Sequence, residues 1–226
     1  MRTLESAIVG LALALVVAGV VLGALAMPWF ARTLVRELDV AASSGLSPTA
    51  VENLAERARI FVTDRSAPSL PSEFEGAPAF DANAVSHLED VRDVLLAARA
   101  ATGVLVGLLA IWLAFSLARK RLARVASALI AGAVWCLAIP AVAALLAVSD
   151  FDTFFAGFHA VFFESGTWTF PADALLIRLF PERFWMGAGA SWAAGIVLGA
   201  IVLGVAGLLV RRGVHARTNG PQKSSA

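Results

Sequence analysis

The sequence predicts an all-α membrane protein: a four-helix transmembrane bundle with an outer helical subdomain and an interfacial aromatic segment. Three observations predict it. Hydrophobic residues make up 59% of the 226-residue chain and mean hydropathy is +0.78, more apolar than a globular core requires, so much of that surface must face something other than water. Four stretches carry no charged side chain, Ala7 to Met27, Ala100 to Ala118, Val125 to Val148 and Gly187 to Val210. At about 1.5 Å per residue each is long enough to cross about 30 Å of hydrocarbon. The third observation is that the charges segregate between alternate connecting segments although the formal net charge is only +1.

Residues 1–27 hold the first span. Ala24 and Ala26 form a small-x-small site after a basic start, as a signal peptide would. The apolar run is longer than a usual signal core and Pro28 follows almost at once, so the segment is read as a retained span. Residues 28–99 form an outer segment too short to bury a large core of its own. Within it Ser47 and Pro48 make an N-cap and first-turn pair ahead of Ala50 to Phe61, where Val51, Leu54, Ala58 and Phe61 share a helical face. Ser66 to Ala79 contains three prolines and a glycine and reads as a loop. Asp81 or Asn83 then caps a helix through Val85, Leu88, Val91 and Leu95, continuous with the second span.

Residues 100–148 hold the second and third spans, joined by the basic loop 119–124. Pro140 is expected to kink the third span without ending it. Residues 149–186 gather eleven of the twenty aromatic side chains, a density typical of the lipid–water boundary. In the fourth span, 187–210, Gly195, Gly199, Ala200, Gly204 and Gly207 recur at a spacing that permits close helix packing. The tail 211–226 is basic at its start, and Thr218 to Ala226 reads as disordered.

The chain start with Arg2 and Glu5, the loop 119–124 and the tail together hold nine basic residues and one acid, Glu5, whereas the two longer connections hold nine basic residues and sixteen acids. Short basic connections stay in the cytoplasm, which puts both termini inside and the two acidic segments outside. The spans contain no ionisable side chain, which weighs against an ion-coupled transporter.

One cysteine, Cys136, lies inside the third span, so neither a disulfide frame nor a cysteine-paired zinc site is available. No phosphate-binding glycine loop or nucleic-acid surface is present, and no serine sits in a nucleophile turn. Of three histidines, His215 lies among tail arginines. His87 and His159 both fall in outer segments near span ends, where two neutral bases could form a site or simply pack. Asp90, three residues after His87, is placed either to orient that imidazole or to be solvated. No metal is expected, because no histidine pair has ligand spacing.

The run Val85-Ser86-His87-Leu88-Glu89-Asp90-Val91-Arg92 resembles the helix before the second span of the lipoprotein intramolecular transacylase family. Phe158-His159-Ala160-Val161-Phe162-Phe163, followed by Trp168, Phe170, Asp173, Leu175, Pro181 and Phe184, is similar to that family's second motif block. The resemblance implies transfer of the sn-2 acyl chain of a diacylglyceryl-cysteine to the α-amino group of the same cysteine, giving a lyso-form lipoprotein. It implies no cofactor, and as partners the diacylated lipoprotein N-terminus and membrane lipid. His87 and His159 become the candidate catalytic pair, with Asp90, Trp168 and Asp173 supporting. Phe155, Phe158, Phe162 and Phe163 are the candidate acyl-groove lining. The competing expectation is a non-enzymatic membrane protein whose aromatic segment docks a partner.

Overall fold

The structure is a computed structural model that describes residues 2–218; the tail read as disordered lies outside these apart from the backbone of Thr218. Four helices are long and apolar enough to cross a membrane: α1 (Arg2–Leu25), α5 (Ala82–Ala118), α6 (Leu122–Ser149) and α9 (Glu182–Thr218). Between them lie α2 (Pro28–Glu37), α3 (Val40–Ser44), α4 (Pro48–Thr63), the two-residue strands β1 (Glu73–Phe74) and β2 (Ala77–Pro78), α7 (Phe151–Phe162) and α8 (Leu175–Leu179). The chain divides into two compact units. One contains residues up to Val20, Ala101–Ala143 and those from Ala193 onward, and the other contains Val21–Ala100 and Ala144–Trp192.

In the first unit the helices approach through small residues. A Cβ placed on Gly199 of α9 would lie 2.4 Å from Val17 Cγ1 of α1, and one on Gly10 of α1 would lie 2.7 Å from Ala131 Cβ of α6. The glycines therefore set the interaxial distance, and van der Waals contact does the packing where lipid removes any hydrophobic drive between helices. Glu5 accepts a hydrogen bond from Arg124 at 2.8 Å and one from the Trp112 indole at 3.4 Å. With Gly10 beside Ala131, this makes α1 and α6 parallel. Gly204 beside Ala133 and Gly207 beside Ile130 make α9 antiparallel to α6. Helix α6 runs through Pro140 without interruption. Large apolar side chains such as Ile111 on α5 are left largely exposed, which suits a bilayer and no aqueous surface.

The second unit is built from short helices. Pro28 lacks an N–H and holds Met27 extended, so α1 stops at Leu25 and α2 restarts with the proline in its first turn. Ser47 accepts the Ala50 N–H at 3.1 Å and starts α4. The expected loop Ser66 to Ala79 is corrected in one respect: Glu73↔Pro78 and Phe74↔Ala77 pair as a minimal hairpin, turned by Glu75 and Gly76 at φ of 52° and 77°. The core gathers Val40, Leu54, Phe80, Leu88, Leu179 and Phe184. Sequence reading left α2 and α3 unassigned and treated residues 149–186 as one interfacial segment, yet Leu175, Leu176 and Leu179 of α8 are buried in this same core. Arg178 donates from Nε to the Ser44 carbonyl at 3.0 Å and again through its terminal nitrogen, fastening α8 to the end of α3.

Candidate active site

Asp81 rather than Asn83 caps α5, accepting the Ala84 N–H at 2.7 Å. Ala84 and Leu88 turn into the core, and His87, one residue before Leu88, is buried beside them at 8% exposure. Helix α7 begins where Asp150 accepts both the Thr153 N–H, at 3.0 Å, and the Thr153 hydroxyl, at 2.6 Å. Its last turn carries His159, 9% exposed. Phe163 then leaves the helix in an extended conformation, with its N–H on the His159 carbonyl at 2.8 Å. A turn follows in which Thr167 donates from its N–H and its hydroxyl to the Glu164 carbonyl. Gly166 there takes φ 89°, a value open to glycine and strained for other residues. The reversal brings Trp168 onto the His159 ring.

The two imidazoles lie with centroids 6.1 Å apart and planes at 27°. Phe163 contacts both, at 5.1 Å from His87 and 5.6 Å from His159. Phe155 stands 4.0 Å and Trp168 4.8 Å from the His159 ring, and Phe170 is 5.6 Å from His87. Phe158 meets His159 edge-on at 5.5 Å while remaining half exposed, and Phe162 leans at a tilt on Phe158 and Phe163, 5.2 Å and 6.3 Å away, with no ring contact to either imidazole. The result is an aromatic box around two histidines.

His159 Nδ1 lies 2.8 Å from the Phe155 carbonyl oxygen. A carbonyl only accepts, so Nδ1 carries the proton and the lone pair of the neutral ring sits on Nε2. Burial lowers the His159 pKa below the ordinary imidazole value and outweighs the raising effect of the Phe155 carbonyl. His87, which precedes the charge-free stretch of α5, is also lowered, first by burial and then by the neighbouring imidazole, against the raising field of Asp90. Both rings are thereby held in the neutral, basic form near pH 7.

The two acids expected from the sequence to support the site are placed differently from the histidines. Asp90 is exposed on α5 and acts on His87 through space, with no hydrogen bond joining them. Asp173 is exposed in the turn before α8, and among the described residues no hydrogen bond or ion pair joins it to either imidazole. Phe170 was not singled out as a site residue from the sequence; its place two residues after Trp168 was the available signal. The Phe155–His159 tie was also missed, although an i, i+4 pair on a short helix is a readable spacing. Among the described residues no cluster of three or more His, Cys, Asp or Glu is placed to hold a metal ion.

The fold is shared with solved structures of the integral membrane lipoprotein intramolecular transacylase Lit from Bacillus cereus. The similarity reaches a TM-score of 0.81 at 16% identity, covering 95% of this chain and 98% of that one. Two variants of the same protein, each with one histidine replaced, superpose with TM-scores of 0.77 and 0.76 at 15% identity, covering 96% and 95% of this chain and 95% and 96% of theirs. Among curated proteins none matches. The family model for the lipoprotein intramolecular transacylase Lit matches residues 6–185, most of the chain, and the protein with this paired-imidazole box belongs to that family.

Proposed function

We propose that His159 is the general base of the family reaction and that His87 completes the proton path. Lit-type enzymes move the sn-2 acyl chain of a diacylglyceryl-cysteine to that cysteine's own α-amino group, producing lyso-form lipoprotein. Nucleophile and ester belong to one substrate molecule, so holding them in a near-attack arrangement supplies much of the rate, and no acyl carrier is consumed. The observation that carries the role assignment is the hydrogen bond from His159 Nδ1 to the Phe155 carbonyl, which fixes the lone pair on Nε2.

The α-amine, whose ammonium form has an ordinary pKa of about 7.7–8.0, reacts as the free amine and gives up one of its N–H protons as its nitrogen attacks the ester carbonyl carbon. Nε2 of His159 accepts that proton, and the carbonyl π electrons move to oxygen. As the tetrahedral intermediate collapses, the bond to the sn-2 glycerol oxygen breaks and that oxygen is protonated by the imidazolium or, through it, by His87. The products are an amide and a free hydroxyl, and both histidines return to their starting state. Asp90 biases the charge on His87 by its field. Phe155, Phe158, Phe162 and Phe163 receive the acyl chain.

The orientation that best fits the charge distribution places both termini and the loop 119–124 in the cytoplasm, with residues 28–99 and 149–186, and hence the site, on the extracytoplasmic side. The pairing of Glu5 with Arg124 supports putting the start of α1 and the loop before α6 on one face.

The test is to supply diacylated lipopeptide in micelles to the wild-type protein and to His87→Asn and His159→Asn variants, reading the N-terminal peptide by mass spectrometry. Conversion is expected to fall by about 10²–10⁴-fold in His159→Asn, the usual contribution of a positioned base, and to fall in His87→Asn. Undiminished conversion by both variants removes the assignment.

A further inference from the structure

Acyl transfer develops two charges, a negative one on the ester carbonyl oxygen and a positive one on the base. The histidines answer the second, and the oxyanion needs a donor. Among the described residues three buried side-chain nitrogens lack a hydrogen-bond partner: His87 Nδ1, Trp168 Nε1 and Arg92 Nε. Arg92 stacks its guanidinium over Phe61 at 4.9 Å, whereas the other two belong to rings of the aromatic box. An indole nitrogen donates and never accepts, in every protonation state. His159 Nδ1–H is already committed to the Phe155 carbonyl.

The wall that Trp168 completes is otherwise phenylalanine, with Phe155 and Phe163 against His159 and Phe170 against His87. A phenylalanine at 168 would extend that wall without burying an unsatisfied N–H, a group whose burial costs stability. The indole is held firmly. Its plane lies 34° from that of His159 at 4.8 Å and makes an edge contact with Phe155 at 6.4 Å, and the Glu164–Thr167 turn fixes the chain just before it.

We propose that Trp168 Nε1–H is the oxyanion donor of the transacylase site. The assignment rests on the reading that this box performs acyl transfer. When the amine lone pair forms the new C–N bond, the carbonyl π pair moves onto oxygen and the indole N–H donates to it. On collapse the pair re-forms the C=O bond, the glycerol C–O bond breaks, and the N–H is released. The same ring presents its π face to His159, so the imidazolium formed in that step gains a cation–π contact. One side chain thus meets both developing charges, through its edge and its face.

The two contributions are separable. Trp168→Phe removes the N–H and keeps an aromatic face. Site-specific 3-benzothienylalanine at 168 puts sulfur where the N–H stood and keeps the bicyclic shape and π surface. Both are assayed beside the wild-type protein in micelles with diacylated lipopeptide, with thermal unfolding measured on the same samples. The expected result is a kcat lower by about 10²–10³-fold in both variants, the usual loss for one oxyanion donor, with KM unchanged and a melting temperature at or above that of the wild type. A benzothienylalanine variant with wild-type kcat overturns the assignment. So does a rise in KM at constant kcat, which marks a groove-lining ring, or a loss of activity that tracks a lowered melting temperature. Absence of conversion by the wild-type protein overturns the transacylase reading itself, and the assignment with it.

Discussion

Asp81 and Ala84 are joined by a hydrogen bond of 2.7 Å from backbone N–H to carboxylate, and that bond starts the helix on which His87 stands one turn later. Replacing Asp81 by alanine is expected to cost about 0.5–2 kcal/mol, as removal of an N-cap usually does, with asparagine restoring most of it. Thermal unfolding of the purified protein in detergent measures the difference. Conversion of diacylated lipopeptide should fall with Asp81→Ala and recover with Asp81→Asn, because the cap holds the first turn in register with His87.

The pH dependence follows from the direction in which burial moves both imidazoles. Each folded-state pKa lies below the ordinary value of about 6.5, so the unfolded chain binds more protons than the folded one as pH falls toward and below that value. The stability contributed by keeping these rings neutral is therefore fully present above about 6.5 and is lost as pH drops through the lowered values. Melting temperature should decline on acidification over that window, and His87→Gln and His159→Gln should each flatten the decline. In the wild-type protein the acid side of the kcat/KM profile should hold, beneath the α-amine's own ionisation at about 7.7–8.0, a second ionisation below about 6.5, since the free enzyme must present an unprotonated Nε2 on His159.

Gly199 tests the packing of the membrane helices. A valine there would drive its Cβ into the Val17 side chain, to which even the first added carbon would approach within 2.4 Å. Overpacking of this kind typically costs about 1–3 kcal/mol, so Gly199→Val should lower the unfolding midpoint in a mild detergent. Pairing it with Val17→Ala should recover part of the loss, because the two side chains compete for one space.

Leu179 is the corresponding test of the second unit. It is fully buried in the shared core, so Leu179→Ala should cost about 2–5 kcal/mol. Trypsin or proteinase K should then cut residues 164–180 sooner than in the wild-type protein.

The four spans were legible because a run without charge over some twenty residues has few physical explanations, and the helix from Asp81 into the second span was legible from its cap and its apolar face. His87 and His159 were legible as a pair through the resemblance of their two motifs. On spacing alone, residues 72 positions apart give no sign that their rings meet. Helices α2 and α3 escaped notice because they are short and lean on the core of their neighbours, so their own periodicity is brief. The burial of Leu175, Leu176 and Leu179 was hidden by surrounding aromatics, which suggested a single interfacial stretch where the structure has two roles in one segment. The partnerless N–H of Trp168 is a property of three-dimensional surroundings, and a sequence has no way to express it.

Phe158 touches the His159 ring with one edge and is half exposed on the other, and Val161, three residues on, is three-quarters exposed. A fatty acyl chain drawn into water loses about 0.8 kcal/mol for each methylene, on the order of 10 kcal/mol for a long chain. A greasy doorstep beside the proposed base would let such a chain slide in sideways from its lipid neighbours, so that the lipoprotein could be worked on without either tail ever becoming wet.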